Sequence, residues 1–278
     1  MPANYLLIDI SNSFTKLAFA TSRRISKPSR IPTEKLTVGM LQRWVGQRAL
    51  DMVAVSSVVP KKNAVVRVAE KRSRILWLTP QIKLGIGIDY PNSKEIGADR
   101  LANAVAAAAF YDCPAIVVDF GTAVTFDIVS AHRAYIGGVI APGLEAMTNF
   151  LYRRTALLPK LSMKEPRSAV GRSTIEAMRA GAVIGYRGLV REIIRKIKKE
   201  QFRRRKVRVI ATGGYADLIA KRLREIDSVH PNLTLEGLRI VANLNAETDP
   251  VPGSLMSSAK RKLRFRSATQ KNPPKTSN

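Results

Sequence analysis

The hydrophobic pattern at the start of the chain predicts a β-hairpin. An apolar run, residues 5–10, carries Asp9 near its end, and the polar residues 11–13 separate it from a second strand-like run, residues 14–20. Two such runs joined by a short polar turn are typical of antiparallel strands. The predicted turn therefore has a carboxylate beside it.

The same pattern returns later in the chain. The apolar run 115–119 ends in Asp119, Gly121 and Thr122 provide a turn, and residues 123–129 are again strand-like. This is the nearest feature to an internal repeat in the sequence. It predicts two lobes of similar structure, each with a hairpin that has an acid at its turn.

The remaining apolar positions predict helices that alternate with strands. Spacings of three or four residues indicate helices, and short apolar runs indicate strands. Helices are predicted at 38–50, 61–72, 97–111, 173–201 and 215–226, and strands at 51–59, 75–78, 135–140 and 207–211. This order indicates an α/β fold of mixed sheets flanked by helices, with an N-terminal lobe (1–112), a C-terminal lobe (113–253) and a tail (254–278).

Composition adds a strong positive charge to this picture. The 278 residues carry a formal net charge of +26 at pH 7, and the tail contains basic residues but no acidic ones. The composition of the tail predicts disorder. An excess of positive charge attracts nucleic acids and nucleotide phosphates alike, so charge alone does not identify a partner.

Cysteine and histidine usage excludes a disulfide-stabilised protein and a protein with the usual spacing of zinc ligands. Cys113 is the single cysteine, so an internal disulfide is impossible, and His132 and His230 are too far apart to have zinc-ligand spacing. The N-terminal residues lack an export signal, and the longest apolar run, 114–129, is broken by two aspartates. We expect a cytoplasmic protein that does not span a membrane.

The first turn has the residue types that bind phosphate. Its backbone N–H groups, the Ser13 hydroxyl and the Lys16 ammonium could donate hydrogen bonds, while Asp9 could hold a hydrated Mg²⁺. The alternative is an ordinary hairpin in which the acid only stabilises the turn. The second turn favours the phosphate interpretation, because Asp119 and Thr122 supply another carboxylate and hydroxyl at a strand end.

A glycine turn follows a later strand. Gly213 and Gly214 separate the strand 207–211 from a predicted helix, so backbone N–H groups could approach a nucleotide closely. An acid-hydroxyl turn, an Asp-Gly-Thr turn and a strand-Gly-Gly-helix segment thus occur in that order. The order resembles the nucleotide site of the actin, hexokinase and Hsp70 superfamily.

Longer blocks narrow the resemblance to one family. Residues 5–245 resemble type III pantothenate kinases in the blocks Tyr90-Pro91-Asn92, Gly97-Ala98-Asp99-Arg100, Asp119-Phe120-Gly121-Thr122-Ala123, Gly137-Gly138-Val139-Ile140-Ala141-Pro142-Gly143, Gly171-Arg172-Ser173-Thr174 and Leu233-Thr234-Leu235-Glu236-Gly237-Leu238. The resemblance implies two actin-like (ribonuclease H-like) lobes and transfer of a phosphoryl group from ATP to pantothenate, the first step toward coenzyme A. It also implies Mg²⁺, a monovalent cation (K⁺ or NH₄⁺), and a homodimer with substrate pockets near the subunit interface.

The resemblance implies roles for individual residues on the acceptor side. Asp99 would be the general base for the pantothenate hydroxyl, and Arg100 would hold the pantothenate carboxylate. Further substrate contacts would come from Tyr90, Gly97, Ala98 and Thr174. Without the resemblance, Asp99 would be interpreted as a helix N-terminal charge, Tyr90 as a core aromatic and Thr174 as a helix cap.

On the nucleotide side, the resemblance implies that Asp119 binds the monovalent cation and that Thr122 contacts phosphate. The ATP site would also comprise Asp9, Ile10, Ser11, Asn12, Ser13, Phe14, Thr15, Lys16, Gly213 and Gly214. The family's first loop usually reads Asp-x-Gly-Asn-Thr, so Ser11 replaces a glycine. Its Cβ would cost about 1–2 kcal/mol if the backbone there required a positive φ.

Two other functions stay open from the sequence. The chain could phosphorylate another small hydroxy acid. It could instead be a regulatory protein whose basic segment 196–208 and basic tail contact nucleic-acid phosphates. No recognised nucleic-acid motif supports the second alternative, so the kinase is favoured.

Overall fold

A computed structural model describes residues 4–71, 73–203 and 205–246 of the chain. The tail predicted at 254–278 lies outside these described residues. Within them, the predicted alternation of strands and helices is confirmed. No helix in the described part of the chain is long and apolar enough to cross a bilayer.

The first part of the chain forms β1 (Tyr5–Ile10), β2 (Phe14–Ala20), β3 (Ser29–Pro32), α1 (Val38–Val45), β4 (Met52–Ser57), α2 (Pro60–Arg67), β5 (Arg74–Trp77), β6 (Gly87–Ile88) and α3 (Ala98–Phe110). The second part forms β7 (Ala115–Phe120), β8 (Ala123–Val129), β9 (Ala134–Pro142), α4 (Leu144–Arg154), α5 (Thr174–Ile197), β10 (Arg208–Thr212), α6 (Ala216–Ala220), β11 (Ser228–Val229) and α7 (Leu233–Ala246).

The two sheets share one strand order, which confirms the internal repeat. The first sheet has the order β3-β2-β1-β4-β5, and the second has β9-β8-β7-β10-β11 with β6 added beside β9. In each sheet the hairpin strands are antiparallel and the next two strands are parallel to the first. Because β6 precedes residue 112 yet joins the second sheet, the chain crosses between sheets there. The lobe boundary at 112/113 stays a prediction.

Helices α3 and α7 form a layer between the two sheets. One core joins them to the inward faces of both sheets and includes Leu7, Leu101, Val117 and Leu238. The outward face of the first sheet packs against α1 and α2, and that of the second packs against α4, α5 and α6. Since α7 contacts β1 and β4, the last described helix closes the chain back onto the first sheet.

Two predicted helices are shorter than the hydrophobic pattern indicates. Helix α1 ends at Val45, because Gly46 adopts a positive φ of 62° and reverses the chain. Helix α6 ends at Ala220, so the prediction of one helix over 215–226 is wrong. The chain turns there instead, with N–H groups bonding to carbonyls three residues back, and this brings β11 alongside β10.

The hydrophobic pattern does not predict helices α4 and α7 or the short strands β3, β6 and β11. Each of the three strands has four residues or fewer, too few for alternation to be evident. Helix α7 has buried residues on most of its faces because it lies between two sheets, so it lacks the polar stripe of a surface helix.

We predict that Gly237→Ala destabilises the protein through the contact between α3 and α7. A methyl group at Gly237 would overlap the backbone carbonyl of Ala102, and backbone in a packed layer cannot move aside easily. The expected loss in the free energy of unfolding is about 1–3 kcal/mol, measured by denaturant unfolding.

Gly39→Ala is the matched control, because Gly39 lies in α1 and an added methyl meets no atom within 4 Å. This variant should be neutral or gain up to about 1 kcal/mol from helix propensity. Equal stability changes in the two variants would contradict the close packing of α3 and α7.

Candidate active site

A cleft of about 460 Å³ opens between the turns of the two hairpins. Asp9 from β1, Asp119 from β7 and Asp99 from the first turn of α3 all line it. The cleft thus brings together carboxylates from three separate elements. Other predicted site residues in its lining are Ser11, Asn12, Ser13, Phe14, Lys16, Thr122, Gly213 and Gly214.

The alternation of the strands explains why two acids face this cleft. Tyr5 and Leu7 of β1 point into the layer between the sheets, and Asp9 continues the same face where the strand reaches its end. In β7, Val117 likewise points into this layer, and Asp119 continues the same face near the end of the strand. Because the two sheets share a strand order, equivalent positions place both carboxylates at one edge of the buried layer.

The two hairpin turns are in direct contact. The Ser13 and Thr122 hydroxyl oxygens lie 2.8 Å apart, so one hydrogen bond joins the turns across the cleft. Behind Thr122, Gly213 adopts a positive φ of 93°, and a Cβ there would overlap the Asp119 carboxylate and lie 2.6 Å from the Phe120 nitrogen. Glycine is therefore required at position 213 for the Gly-Gly turn to approach β7.

Ser11 does not strain the first turn. Among the described residues that are not glycine, a positive φ occurs only at Arg133 and Arg203, so Ser11 has an ordinary backbone conformation. Its N–H donates to the Phe14 carbonyl, and its carbonyl accepts from the Thr33 hydroxyl at 2.7 Å. The backbone strain that a positive φ would have imposed on a serine at position 11 is therefore absent.

Burial makes the cleft carboxylates hard to ionise. Asp9 is only 4% exposed, and loss of hydration together with the nearby charge of Asp99 raises its pKa to about 7. Loss of hydration also raises the pKa of Asp99 and of Asp119, and the negative charge of Asp119 raises that of Asp99 further. The positive charge of Lys16 lowers the pKa of Asp9 and that of Asp119, which opposes these effects. The cleft is therefore suited to bind cations.

Asp9 is the cleft carboxylate that could hold a metal ion through water. Within the described residues, no group of three or more His, Cys, Asp or Glu side chains is arranged to hold a metal. The Asp9 Oδ1 atom is buried and has no hydrogen-bond partner in the structure, so it is free to accept from a metal-bound water. Asp9 alone, with ligands from phosphate and water, agrees with the way Mg²⁺ is usually bound.

Asp119 is held in place by residues that the sequence did not single out for this role. The Asn103 amide donates to Asp119 Oδ2 at 3.2 Å, and the Thr234 hydroxyl donates to the Asn103 amide oxygen at 2.9 Å. The chain of contacts runs from α7 through α3 to β7. On the next strand, the Thr212 hydroxyl is buried opposite Asp119 without a hydrogen-bond partner.

Arg100 and Tyr90 lie in a second group next to Asp99. The Arg100 Nε donates to the buried Asp127 at 2.6 Å, while Arg100 Nη2 is buried without a partner. Tyr90 is half-buried and packs edge-on against Tyr135, with ring centroids 6.0 Å apart. Burial raises the pKa of Asp127 to about 7, although the positive charge of Arg100 acts to lower it.

Some predicted site residues do not reach the cleft with their side chains. Ile10 belongs to the outer core of the first sheet, and the buried Thr15 hydroxyl contacts that of Thr33 at 3.0 Å. Thr174 is exposed at the start of α5, where Ser173 rather than Thr174 caps the helix. Gly97 lies beside Asp99, and a Cβ there would be 2.6 Å from Asp99 Oδ1. Ala98 begins α3 and is half-buried outside the cleft lining.

The cleft lining also includes charged, amide and phenol side chains that were not among the predicted site residues. They are Arg30, Glu145, Asn149 and Tyr215. Burial, together with the nearby negative charge of Glu145, raises the pKa of Tyr215. Arg30, Glu145 and Asn149 lie on β3 and α4, which the hydrophobic pattern does not predict.

Two sheets of matching strand order that enclose a cleft, with an acid-bearing hairpin from each, define the two-lobed actin-like class of α/β proteins. Solved structures agree with this fold. A structure described as a 2-dehydro-3-deoxygalactonokinase from Sinorhizobium meliloti aligns with a TM-score of 0.54 at 13% identity, covering 86% of this chain and 98% of that one. A structure described as a conserved Baf family transcriptional activator from Campylobacter jejuni aligns with a TM-score of 0.54 at 19% identity, over the same shares.

Sequence comparison identifies the family within that class. The family model described as type III pantothenate kinase matches residues 5–196. A type III pantothenate kinase of Akkermansia muciniphila is 47% identical over 248 residues, covering 87% of this chain and 99% of the relative. Another, of Geobacter sulfurreducens, is 40% identical over 259 residues with the same coverage. The chain belongs to the type III pantothenate kinase family, a family of phosphotransferases.

We predict that Asp9→Asn stabilises the metal-free protein more at high pH than at low pH. The pKa of Asp9 rises from 3.8 to about 7 on folding, so the folded state retains a proton that the unfolded state loses between about pH 4 and pH 7. This contribution to stability is complete below about pH 4 and is lost as the pH rises through about 7.

An asparagine at position 9 does not ionise, so the variant should gain more in melting temperature at about pH 8 than at about pH 5, relative to the unsubstituted protein. The exposed Asp89→Asn is the control and should change little at either pH. A gain for Asp9→Asn that is the same at both pH values would contradict the burial of an uncompensated carboxylate.

Proposed function

We propose that the protein transfers the γ-phosphoryl group of ATP to the terminal hydroxyl of pantothenate, the first step of coenzyme A biosynthesis. The observation that carries this proposal is the common cleft of Asp9, Asp99 and Asp119 in a chain of this family. The reaction would draw on cytoplasmic ATP, which agrees with a single free cysteine, Cys113.

The nucleotide phosphates would lie between the two hairpin turns. Ser13 and Thr122 would donate their hydroxyl hydrogens to phosphate oxygens, and Lys16 would contribute a positive charge. Asp9 would hold Mg²⁺ through water, and Gly213 would let the Gly-Gly turn approach the nucleoside. When bound, Mg²⁺ offsets the negative charge that the phosphates bring into the cleft.

Asp99 would act as the general base. Its carboxylate would accept the proton of the pantothenate hydroxyl as that oxygen attacks the γ-phosphorus, while the bond from the γ-phosphorus to the bridging oxygen breaks and ADP leaves. The raised pKa of Asp99 makes it a stronger proton acceptor than an exposed carboxylate. Gly97 leaves room for its side chain, and the Arg100 N–H donates to Asp99 Oδ1 at 2.8 Å.

Arg100 and Tyr90 would bind the rest of pantothenate. Asp127 holds the Arg100 Nε and fixes the plane of the guanidinium, which leaves the buried Nη2 with donors to offer. A carboxylate is the acceptor best matched to such donors. The half-buried ring of Tyr90, which packs against the fully buried Tyr135, would supply an apolar wall for the methyl groups and chain of pantothenate.

A monovalent cation, K⁺ or NH₄⁺, would bind at Asp119. This carboxylate is half-buried, and the Asn103 amide and the unpartnered Thr212 hydroxyl lie next to it. A bound cation would offset the cost of ionising Asp119 in a site removed from water.

The purified protein should release ADP from ATP and Mg²⁺ only when pantothenate is present, and 4'-phosphopantothenate should be detected by mass spectrometry.

We predict that Asp99→Asn lowers turnover about 10²- to 10⁴-fold, as the loss of a general base does, with ADP affinity largely retained.

Asp112→Asn serves as the control, because Asp112 is an exposed acid at the end of α3 with a long 3.8 Å ion pair. Its turnover should match that of the unsubstituted protein. Unchanged turnover in Asp99→Asn would refute the role of Asp99, and equal phosphorylation of unrelated small hydroxy acids would refute pantothenate specificity.

A homodimer would bury the largest set of exposed apolar side chains that the described residues contain. This set lies on α4, on α5 and in the segment between them, and comprises Phe150, Leu151, Tyr152, Leu157, Val170, Ile175 and Ile184. Helices α4 and α5 pack against each other, so exposed apolar residues on both are candidates for one interface. Thr174 lies beside Ile175, so a dimer through this surface would bring Thr174 to the subunit interface.

We predict a sedimentation mass of twice 30.6 kDa at micromolar concentration. Ile184→Asp should shift the protein toward the monomer, because a charge buried at an interface without a partner opposes association. Val68→Asp, at an exposed apolar residue near the first sheet, is the control and should leave the mass unchanged. A monomer at this concentration for the unsubstituted chain would contradict the proposal.

A further inference from the structure

Three charged residues form a row across the first sheet. The strand register places Asp9 of β1 opposite Lys16 of β2, and Lys16 opposite Arg30 of β3. Residues directly opposite one another share a face of the sheet, and two strand spacings of about 4.8 Å make the row about 10 Å long. All three residues line the cleft, from the buried Asp9 through the half-buried Lys16 to the exposed Arg30.

The outer half of this row is unfavourable for the protein alone. Like charges directly opposite on adjacent strands repel each other. Arg30 has no carboxylate partner among the described residues, and its guanidinium lies 3.6 Å from the centroid of the Phe14 ring. A stack of this kind holds the plane of the guanidinium but uses none of its five N–H donors. Arg30 is thus oriented at the cleft and has donors free for a ligand.

The charges that line the cleft determine which residues a phosphate ligand can bind. Four acids line it, namely Asp9, Asp99, Asp119 and Glu145, whereas its only basic residues among the described lining are Lys16 and Arg30. A phosphate chain entering so acidic a cleft needs both bases as well as Mg²⁺. An anion between Lys16 and Arg30 would also remove the repulsion between them.

We propose that Arg30 binds the phosphate chain of the nucleotide at its nucleoside end, as the third member of the row Asp9–Lys16–Arg30. The inner end of the row lies near Asp99, where the γ-phosphoryl group is transferred. The outer end lies near the Gly-Gly turn, since a Cβ on Gly214 would be 3.7 Å from Arg30 Nη2. This inference rests on the proposed nucleotide site and assigns it a further phosphate-binding residue.

The test is the equilibrium affinity of the full chain for ADP, measured by calorimetry over a range of choline chloride concentrations. Arg30→Gln should weaken ADP binding about tenfold or more, as expected for loss of a hydrogen bond to a charged group. Its affinity should also fall less steeply with salt, because one charge contact is missing. Arg30→Lys should recover part of the affinity. Arg23→Gln removes the same charge from an exposed position outside the cleft and should bind as the unsubstituted chain does.

Three results would overturn the inference. If Arg30→Gln binds ADP with unchanged affinity, Arg30 makes no contact with the nucleotide. If its affinity falls but the salt dependence is unchanged, Arg30 contacts the base rather than the phosphates. If the unsubstituted chain binds no ADP at all, the proposed function fails and this inference fails with it, an outcome distinct from the first two.

Discussion

The organisation of this protein depends on the burial of several carboxylates around a single cleft. Removing an ionised carboxylate from water costs several kcal/mol unless a partner compensates. Asp9, Asp99 and Asp119 repel one another, and the raised pKa values of all three reflect that cost. Packing elsewhere must offset it, and the continuous core between the two sheets supplies that packing.

The repeat of one strand order gives the cleft its geometry. Each sheet ends its first strand in a carboxylate that faces the buried layer, and each hairpin turn carries a hydroxyl. Helix α3 contributes both the candidate base, Asp99, and the amide that holds Asp119, Asn103. The layer of α3 and α7 therefore supports the fold and orients the acids at the same time. Gly237 packs against Ala102, the neighbour of Asn103, so the close contact of α3 and α7 also supports the site.

The sequence predicts those parts of the site that depend on local pattern. Asp9, Thr122 and Asp99 can be identified from the sequence, because acids and hydroxyls interrupt apolar runs there. They mark a strand end, a turn and the start of α3. The positions of Asn103 and Arg30 depend instead on tertiary contact and strand register. Asn103 interrupts a run of apolar residues in α3 without any local sign of its partner on β7. Arg30 lies on a four-residue strand whose pairing with β2 cannot be read from such a short segment.

A crystal structure of the protein with a non-hydrolysable ATP analogue and Mg²⁺ would show directly whether the two hairpin turns bind the phosphates together. Phosphate oxygens should lie within hydrogen-bond distance of both the Ser13 and Thr122 hydroxyls, with the γ-phosphate at the end of the cleft nearest Asp99. A nucleotide bound elsewhere, or one that contacts only one of the two hairpin turns, would contradict this arrangement.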